Sequence, residues 1–377
     1  MFGYSEAIKN RHLNIENIDG RLVFSQLDPD ANVTLNYIDD SEKVRGHLDN
    51  RRRNLEQVQH IFGGPLTLLS PEESLSSLKQ VNQILRDNHY RTKNAQGQVG
   101  GLITLPDELI PIIVGDLHAQ TNNLLKILSE GFYLNALVQG KACLILLGDT
   151  VHSEIDGQLK NMDSSALTLD LIFKLIIHLP SNVVYLRGNH ESFETGVAKS
   201  GIPQGLLFRK WLRDQRGQEY VDEVEQFFDL LPYVVQSSHF IACHGGPPRG
   251  NFSLQDLIDI ADHPELKHAL TWNRVMSQRD AFGYRKKDVK RFREMLGVEK
   301  KTPLIVAHNP LSLTESFWLD AGNIRNHHIV YSAHLNNLAV FTRIGKYMTP
   351  FDYPTEPLIA ALNKPDSDSK EADDFLP

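Results

Sequence analysis

Seven residues of metal-ligating or proton-handling type stand just behind short apolar runs. Asp116 and His118 follow IPIIV, Asp149 follows ACLILL, Asn189 and His190 follow NVVYL, His244 follows HFIAC, and His308 follows PLIVA. Aspartate, asparagine and histidine make a hard-to-intermediate donor set, better suited to Mn, Fe or Zn than a cysteine-rich site would be. Taken singly, a strand-end aspartate is an ordinary turn or cap residue and a histidine an ordinary core or surface group. The ordered set is the signal, and several members sit beside glycine, which lets the backbone turn sharply once a ligand has been presented. Two divalent ions sharing one carboxylate account for the donors. Asp116, His118 and Asp149 would hold the first ion, and Asp149, Asn189, His244 and His308 the second. Such a pair lowers the pKa of a water held between the ions and clamps phosphoryl oxygens during an in-line displacement. His190 lies beside Asn189 without being a ligand, the place for a general acid next to a leaving oxygen. Asp149 and His190 are therefore the expected catalytic residues.

The elements that must position these groups are legible from the same runs. From about residue 100, short apolar segments ending in polar motifs alternate with helical stretches such as NNLLKILSEGF, LTLDLIFKLIIHL and VEQFFDLLPYV. Strands alternating with helices predict an α/β fold, with the polar groups gathered just past strand ends. Ahead of them, Ser70-Pro71-Glu72-Glu73 reads as a capped helix start, with apolar Leu75, Leu78, Val81, Ile84 and Leu85 at helical spacing. The expected organisation is a partly helical N-terminal extension over 1–98, a catalytic domain over 99–350 and an acidic tail over 351–377. The basic triplet Arg51–Arg53 reads as a solvated face.

Composition sets outer limits. The 377-residue chain is 41% hydrophobic and 23% charged, ordinary for a globular protein and enough for one large core. No apolar run approaches the roughly 20 residues of a membrane span, and the N-terminal residues carry no secretory signal pattern. The net charge of −8 argues against non-specific nucleic-acid binding. Cys143 and Cys243 each lie in an apolar run and read as buried free thiols of a reducing compartment. Oligomeric state is not legible in the sequence.

In order, GDLHAQ, GDTVHSE, RGNHE, HGG, Trp272-Asn273 and VAHN resemble the motifs of the phosphoprotein phosphatase (PPP) family of metallophosphatases, over roughly residues 100–345. The resemblance implies a calcineurin-like β-sandwich flanked by helices, two metal ions, and one-step hydrolysis of phosphoserine or phosphothreonine in a phosphoprotein partner. It also implies the ligand roles given above, with Mn as the expected metal and Fe or Zn as alternatives. Where the family pattern is GDxVDRG, this chain has His152, Ser153 and Glu154. His152 stands for the aspartate that charges and orients the catalytic histidine, so His190 should be less readily protonated. Glu154, Asp156 or Glu191 are the carboxylates that might take that aspartate's place. Ser153 stands for a phosphate-binding arginine, so a bidentate contact is lost. This altered half resembles the Wip-type effector phosphatases of Legionella, which implies a bacterial protein acting on host phosphoproteins.

Three further departures are readable. Ala119 replaces a family glycine and should be tolerated if the backbone there is not left-handed. The second phosphate-binding arginine falls among Arg274, Arg279 and Arg285; Arg279, just ahead of a Phe-Gly pair, is the expected one, acting together with Asn189. His334 stands where the family continues with proline, and either lines the pocket or packs. The competing functions are a tyrosine phosphatase of the same machinery, a nucleotide polyphosphate hydrolase, and a non-catalytic phosphoprotein-binding relic.

Overall fold

A computed structural model describes residues 13–18, 21–26, 41–277 and 282–363. In chain order, a hairpin of β1 (Leu13–Ile18) and β2 (Arg21–Gln26) precedes α1 (Ser41–Phe62) and α2 (Pro71–Asp87). There follow β3 (Arg91–Lys93), β4 (Val99–Thr104), β5 (Ile110–Val114), α3 (Thr121–Ser129), α4 (Tyr133–Val138), β6 (Ala142–Leu146), α5 (Asp163–His178) and β7 (Val183–Tyr185). Next come α6 (Gln204–Arg216), α7 (Gln218–Leu230), β8 (Val234–Ser237), β9 (Phe240–Cys243), α8 (Leu254–Ile258), α9 (Pro264–Trp272) and α10 (Lys286–Met295). The chain then forms β10 (Leu304–Val306), β11 (Phe317–Trp318), β12 (His327–Val330), β13 (Asn337–Ile344), β14 (Tyr347–Pro354) and α11 (Leu358–Leu362).

Two sheets carry the site. One has the order β14-β13-β5-β6-β7, the other β11-β12-β10-β9-β8-β4-β3. Strand alternation sorts the side chains between layers. Ile113, Cys143, Ile145 and Val184 from the first sheet meet Val235, Ala242, Ile305 and Val330 from the second in a shared core. The opposite face of the first sheet, with Ile112, Val114, Leu144 and Leu146, packs on α2, α3, α5 and α7. The outer face of the second, with Val234, Ile241, Leu304 and Val306, is covered by Leu257, Leu266, Leu270, Val289 and Phe292 of α8, α9 and α10. The result is the expected helix-flanked sandwich. Both cysteines lie in it as buried free thiols.

Contacts divide the chain into two compact units, 1–48 and 49–377. Within the larger unit, α2 starts as its sequence indicates. Ser70 Oγ accepts from Glu73 N at 3.2 Å, Pro71 opens the helix, and Leu78, Val81 and Leu85 are buried. The basic triplet is only partly a solvated face. Arg52 and Arg53 are exposed, but Arg51 is held between Glu130 at 3.0 Å and Glu356 at 2.6 Å. Glu356 also takes Lys126, so α1, α3 and the segment ahead of α11 share one ion network. The fold continues past residue 350: β14 pairs with β13 through Pro354, and Asn122 Oδ1 accepts from Ile359 N of α11 at 2.9 Å. Residues 364–377, the acidic end of the expected tail, lie outside the described residues.

Candidate metal centre

Parallel pairing brings the strand ends together. β5, β6 and β7 run parallel, so Asp116, Asp149 and Asn189 emerge at one edge of the first sheet. β9 and β10 run parallel in the second sheet and deliver His244 and His308 to the same place. The backbone there is unusual: His118, Ala119, Asp149, His152 and His308 have φ of 42, 61, 50, 66 and 59°. A non-glycine residue held left-handed costs about 1–3 kcal/mol and persists only where its surroundings over-determine it. Glu191 is a large part of that determination. Its buried carboxylate accepts from Asp149 N at 2.8 Å, Gly188 N at 2.9 Å, Thr150 N at 3.0 Å and the Tyr185 hydroxyl at 2.8 Å. Close approach matters as much as turning. A Cβ on Gly188 would lie 2.3 Å from Asp149 Oδ1 and 2.5 Å from Asp149 N. Gly188→Ala is therefore expected to destabilise the protein by about 3 kcal/mol or more, since overpacking here cannot be relieved without moving the ligand backbone. Urea unfolding of the variant checks this, and an unchanged midpoint would contradict it.

The expected ligands converge. Ligand atoms of Asp116, His118 and Asp149 lie within 4.8 Å of one another, as do those of Asp149, His244 and His308. Asp149 belongs to both groups. Asn189 Oδ1 joins the second, 3.1 Å from His244 Nε2. Hydrogen bonds at the far side of two imidazoles orient them inward: His244 Nδ1 faces Leu147 O at 3.0 Å, and His118 Nδ1 faces His152 O at 3.2 Å. With Nδ1–H donating to a carbonyl, neutral His244 aims its Nε2 lone pair at Asn189 Oδ1 and at Asp149 Oδ2, 3.3 Å away. Three lone pairs facing one point need a cation. His308 Nε2 is buried and has no hydrogen-bond partner, a further donor atom waiting for one. The donor set therefore fits a pair of divalent ions. Electrostatics within the protein say the same. Burial works against a charged His244, but the Asp149 and Asp116 carboxylates raise it to about 9, so it takes up a proton in place of a metal. Burial opposes ionisation of Asp149, yet His244 and His190 hold its carboxyl well below the ordinary range. Burial raises Asp116 to about 6, with the Asp149 charge adding to the rise.

The altered half of GDTVHSE is equally well placed. His152 Nδ1 lies 3.2 Å from His190 Nδ1, so the partner of His190 is another imidazole. Glu191 is not that partner, because its oxygens serve the backbone. Asp156 is exposed, and Glu154 turns to Lys199 at 2.7 Å. Burial lowers His190 to about 4, so it is neutral near pH 7. Only one of the two facing Nδ1 atoms can carry the proton. If His152 donates, its buried and unpartnered Nε2 is a lone pair rather than an orphaned N–H, against the edge-on Phe208 ring at 5.4 Å. His190 then keeps its proton on Nε2. Ser153 is buried, with its hydroxyl accepting from Ile155 N at 3.3 Å.

Of the phosphate-binding candidates, Asn189 is in place and Arg279 lies outside the described residues. Arg274 donates from Nη1 to His308 O at 2.7 Å, which sets its guanidinium against a ligand loop, whereas Arg285 is exposed at the start of α10. His334 packs on Tyr331, ring centroids 4.6 Å apart, with its Nε2 2.9 Å from Glu315 O. The condition for tolerating Ala119 is not met: its φ of 61° is left-handed. Ala119→Gly is expected to stabilise by about 0.5–1 kcal/mol, the relief of a left-handed alanine less the added freedom of the unfolded chain. Thermal unfolding checks the sign. Lys199, Gln204 and Tyr331 were not legible as site residues. They stand outside the strand-end motifs, and only the folded loops bring them near.

Residues 112–338 match the model of the calcineurin-like phosphoesterase family. Among solved structures, the chain resembles a protein serine/threonine phosphatase from Saccharomyces cerevisiae with similarity to human phosphatase PP5. The TM-score is 0.58 at 18% identity, over 79% of this chain and 92% of that one. A cold-active protein-tyrosine phosphatase of a psychrophile Shewanella species aligns with a TM-score of 0.45 at 10% identity, over 68% of this chain and 82% of that one.

Proposed function

The chain belongs to the calcineurin-like phosphoesterases, and on that premise we propose that it is a dimetal protein phosphatase acting on phosphoserine and phosphothreonine. The observation that carries the reading is the pair of ligand groups sharing Asp149. Two divalent ions held there, with Mn the expected metal, would supply a nucleophile at neutral pH and neutralise charge on the phosphoryl group. Asp116 and His118 hold one side of the site, Asn189, His244 and His308 the other. Glu191 fixes the turns that carry Asp149 and Asn189. His190, neutral and with its Nδ1 occupied by His152, offers Nε2–H to the leaving oxygen. Asn189 and an arginine hold phosphoryl oxygens; Arg279 is the sequence's choice, and Arg274 is the described arginine beside a ligand loop. Action as a bacterial effector on host phosphoproteins is supported by the His152-Ser153-Glu154 motif alone.

One observation favours phosphotyrosine as a second reading. Trp272 is 38% exposed and stands edge-on to His308 at 5.9 Å, giving an aryl ester a ring to pack against. Phosphate release from matched phosphoserine, phosphothreonine and phosphotyrosine peptides with added Mn²⁺ tests both. Release from the first two, and little from the third, is the expected result. Release from phosphotyrosine alone selects the second reading. No release from any peptide, with turnover of a dinucleotide polyphosphate, overturns both.

A further inference from the structure

A charged pair beside the site has no role in the chemistry above. Lys199 Nζ is 2.7 Å from Glu154 Oε1, the Tyr331 hydroxyl donates to Glu154 Oε2 at 3.3 Å, and Glu154 Oε1 is 3.9 Å from His118 Nε2. Glu154 shares a cluster with His118 and His190, their ligand atoms all within 4.8 Å of one another. The pair therefore adjoins both the Asp116 side of the centre and the proposed proton donor.

Lys199 is fixed in place rather than carried on a loose surface loop. Lys199 N donates to Ile202 O at 3.1 Å and Ile202 N to Lys199 O at 2.9 Å. Between them Ser200 and Gly201 have φ of 50 and 77°. A two-residue reversal with both central residues left-handed is the tight turn of β-hairpins. Buried Gln204 donates to Ser153 O at 2.8 Å and Leu159 O at 3.0 Å, so the loops carrying Lys199 and Glu154 are joined. The Lys199 side chain is nonetheless 43% exposed. An ammonium has three donors, so those not used by Glu154 remain for a ligand.

We propose that Lys199, positioned by Glu154, is a phosphoryl-binding residue of this site and supplies the cation that Ser153 cannot. The proposal rests on the phosphatase reading and extends it. Ser153 is short and uncharged, with its hydroxyl accepting from Ile155 N, and the neighbouring residue instead recruits a cation from the loop ahead of α6. A lysine is a point charge without the fork of an arginine, and so tolerates more than one phosphoryl orientation.

The test is calorimetric binding of orthophosphate to the Mn²⁺-loaded full chain, for the parent, Lys199→Met and Lys199→Arg, with phosphopeptide kinetics and metal content measured alongside. Lys199→Met should weaken orthophosphate binding about tenfold or more, the usual worth of a charge-assisted hydrogen bond. It should raise KM more than it lowers kcat and leave metal content unchanged. Lys199→Arg should recover most of the loss. Unchanged orthophosphate binding in Lys199→Met overturns the proposal, as does a Lys199→Arg variant as weak as Lys199→Met, or a parent that binds no orthophosphate. Loss of metal from Lys199→Met also overturns it, by making the pair a support of the ligands. If orthophosphate binding depends on Lys199 but no phosphopeptide is hydrolysed, the phosphatase reading fails and the binding assignment stands. If peptides are hydrolysed and Lys199 is silent, the reverse holds.

Discussion

Asp149→Asn lowers phosphate release by at least about a thousandfold, the equivalent of about 4 kcal/mol of transition-state stabilisation. The reason is that one carboxylate does three things. It belongs to both ligand groups, its Oδ1 accepts from His190 N at 2.8 Å, and its Oδ2 faces His244 Nε2 at 3.3 Å. An asparagine keeps the shape but exchanges one of these oxygens for an N–H donor and removes the negative charge that the two candidate ligand groups have in common. Stability provides a readout separate from activity. Ions that bind only the folded protein raise its melting temperature in proportion to the logarithm of their concentration over Kd. Added Mn²⁺ should raise the parent's melting temperature and scarcely move the variant's. In chelator the variant should be less stable than the parent, because the protonated His244 loses the buried carboxylate that pairs with it. A variant with parental activity, or with a parental response to Mn²⁺, contradicts the assignment of Asp149.

His152→Asp has a large effect of a different kind. In the parent, burial holds His190 at about 4 and its Nδ1 neighbour is an imidazole that gives it no charge to pair with. Its protonation therefore contributes no step to the pH–rate profile between about pH 5 and 8. A carboxylate at 152 accepts from His190 Nδ1–H and favours the imidazolium. A close carboxylate raises a histidine pKa by about 1–3 units, which brings His190 into the range of about 5–7. The sign follows directly. The protonated form is the stronger acid, so activity gained by the variant is present below the new pKa and lost as pH rises through it. The parent shows no such descending limb. Profiles of kcat for the two proteins, with imidazole ¹⁵N shifts of His190 recorded over the same range, check the prediction. Superimposable profiles would show that His152 does not set the state of His190.

The gathering of the candidate ligands at one place was the most legible feature of the molecule, and the reason is topological. Asp116, Asp149 and Asn189 each follow a strand of one parallel set, and His244 and His308 follow another, so order along the chain translates into nearness at one edge. The start of α2 was legible because its cap is local: Ser70, Pro71 and Glu73 act within four residues of one another. What escaped sequence reasoning depends on contacts across the fold. That Glu191 serves the backbone of Asp149 and Thr150 rather than His190 follows from the approach of the two turns within a hydrogen bond of each other. Arg51 looked like part of a solvated face, because Glu356 lies at the other end of the chain. The left-handed backbone at Ala119 was left open by the sequence, because nothing in its neighbours fixes φ; the bond from its N–H to Thr150 O at 2.9 Å ties it to the other turn. The last strand and helix run on to Leu362, just ahead of the acidic residues that begin at Asp366.

The measurement that bears most directly on the shared-carboxylate centre is metal stoichiometry by elemental analysis, with Mn²⁺ titration of the apo-protein by calorimetry. Two ions per chain in the parent, with at most one weakly held in Asp149→Asn, is the expected result. A parent that retains no ion, or one whose second equivalent binds undisturbed by the loss of the Asp149 carboxylate, contradicts a dinuclear centre built on that residue.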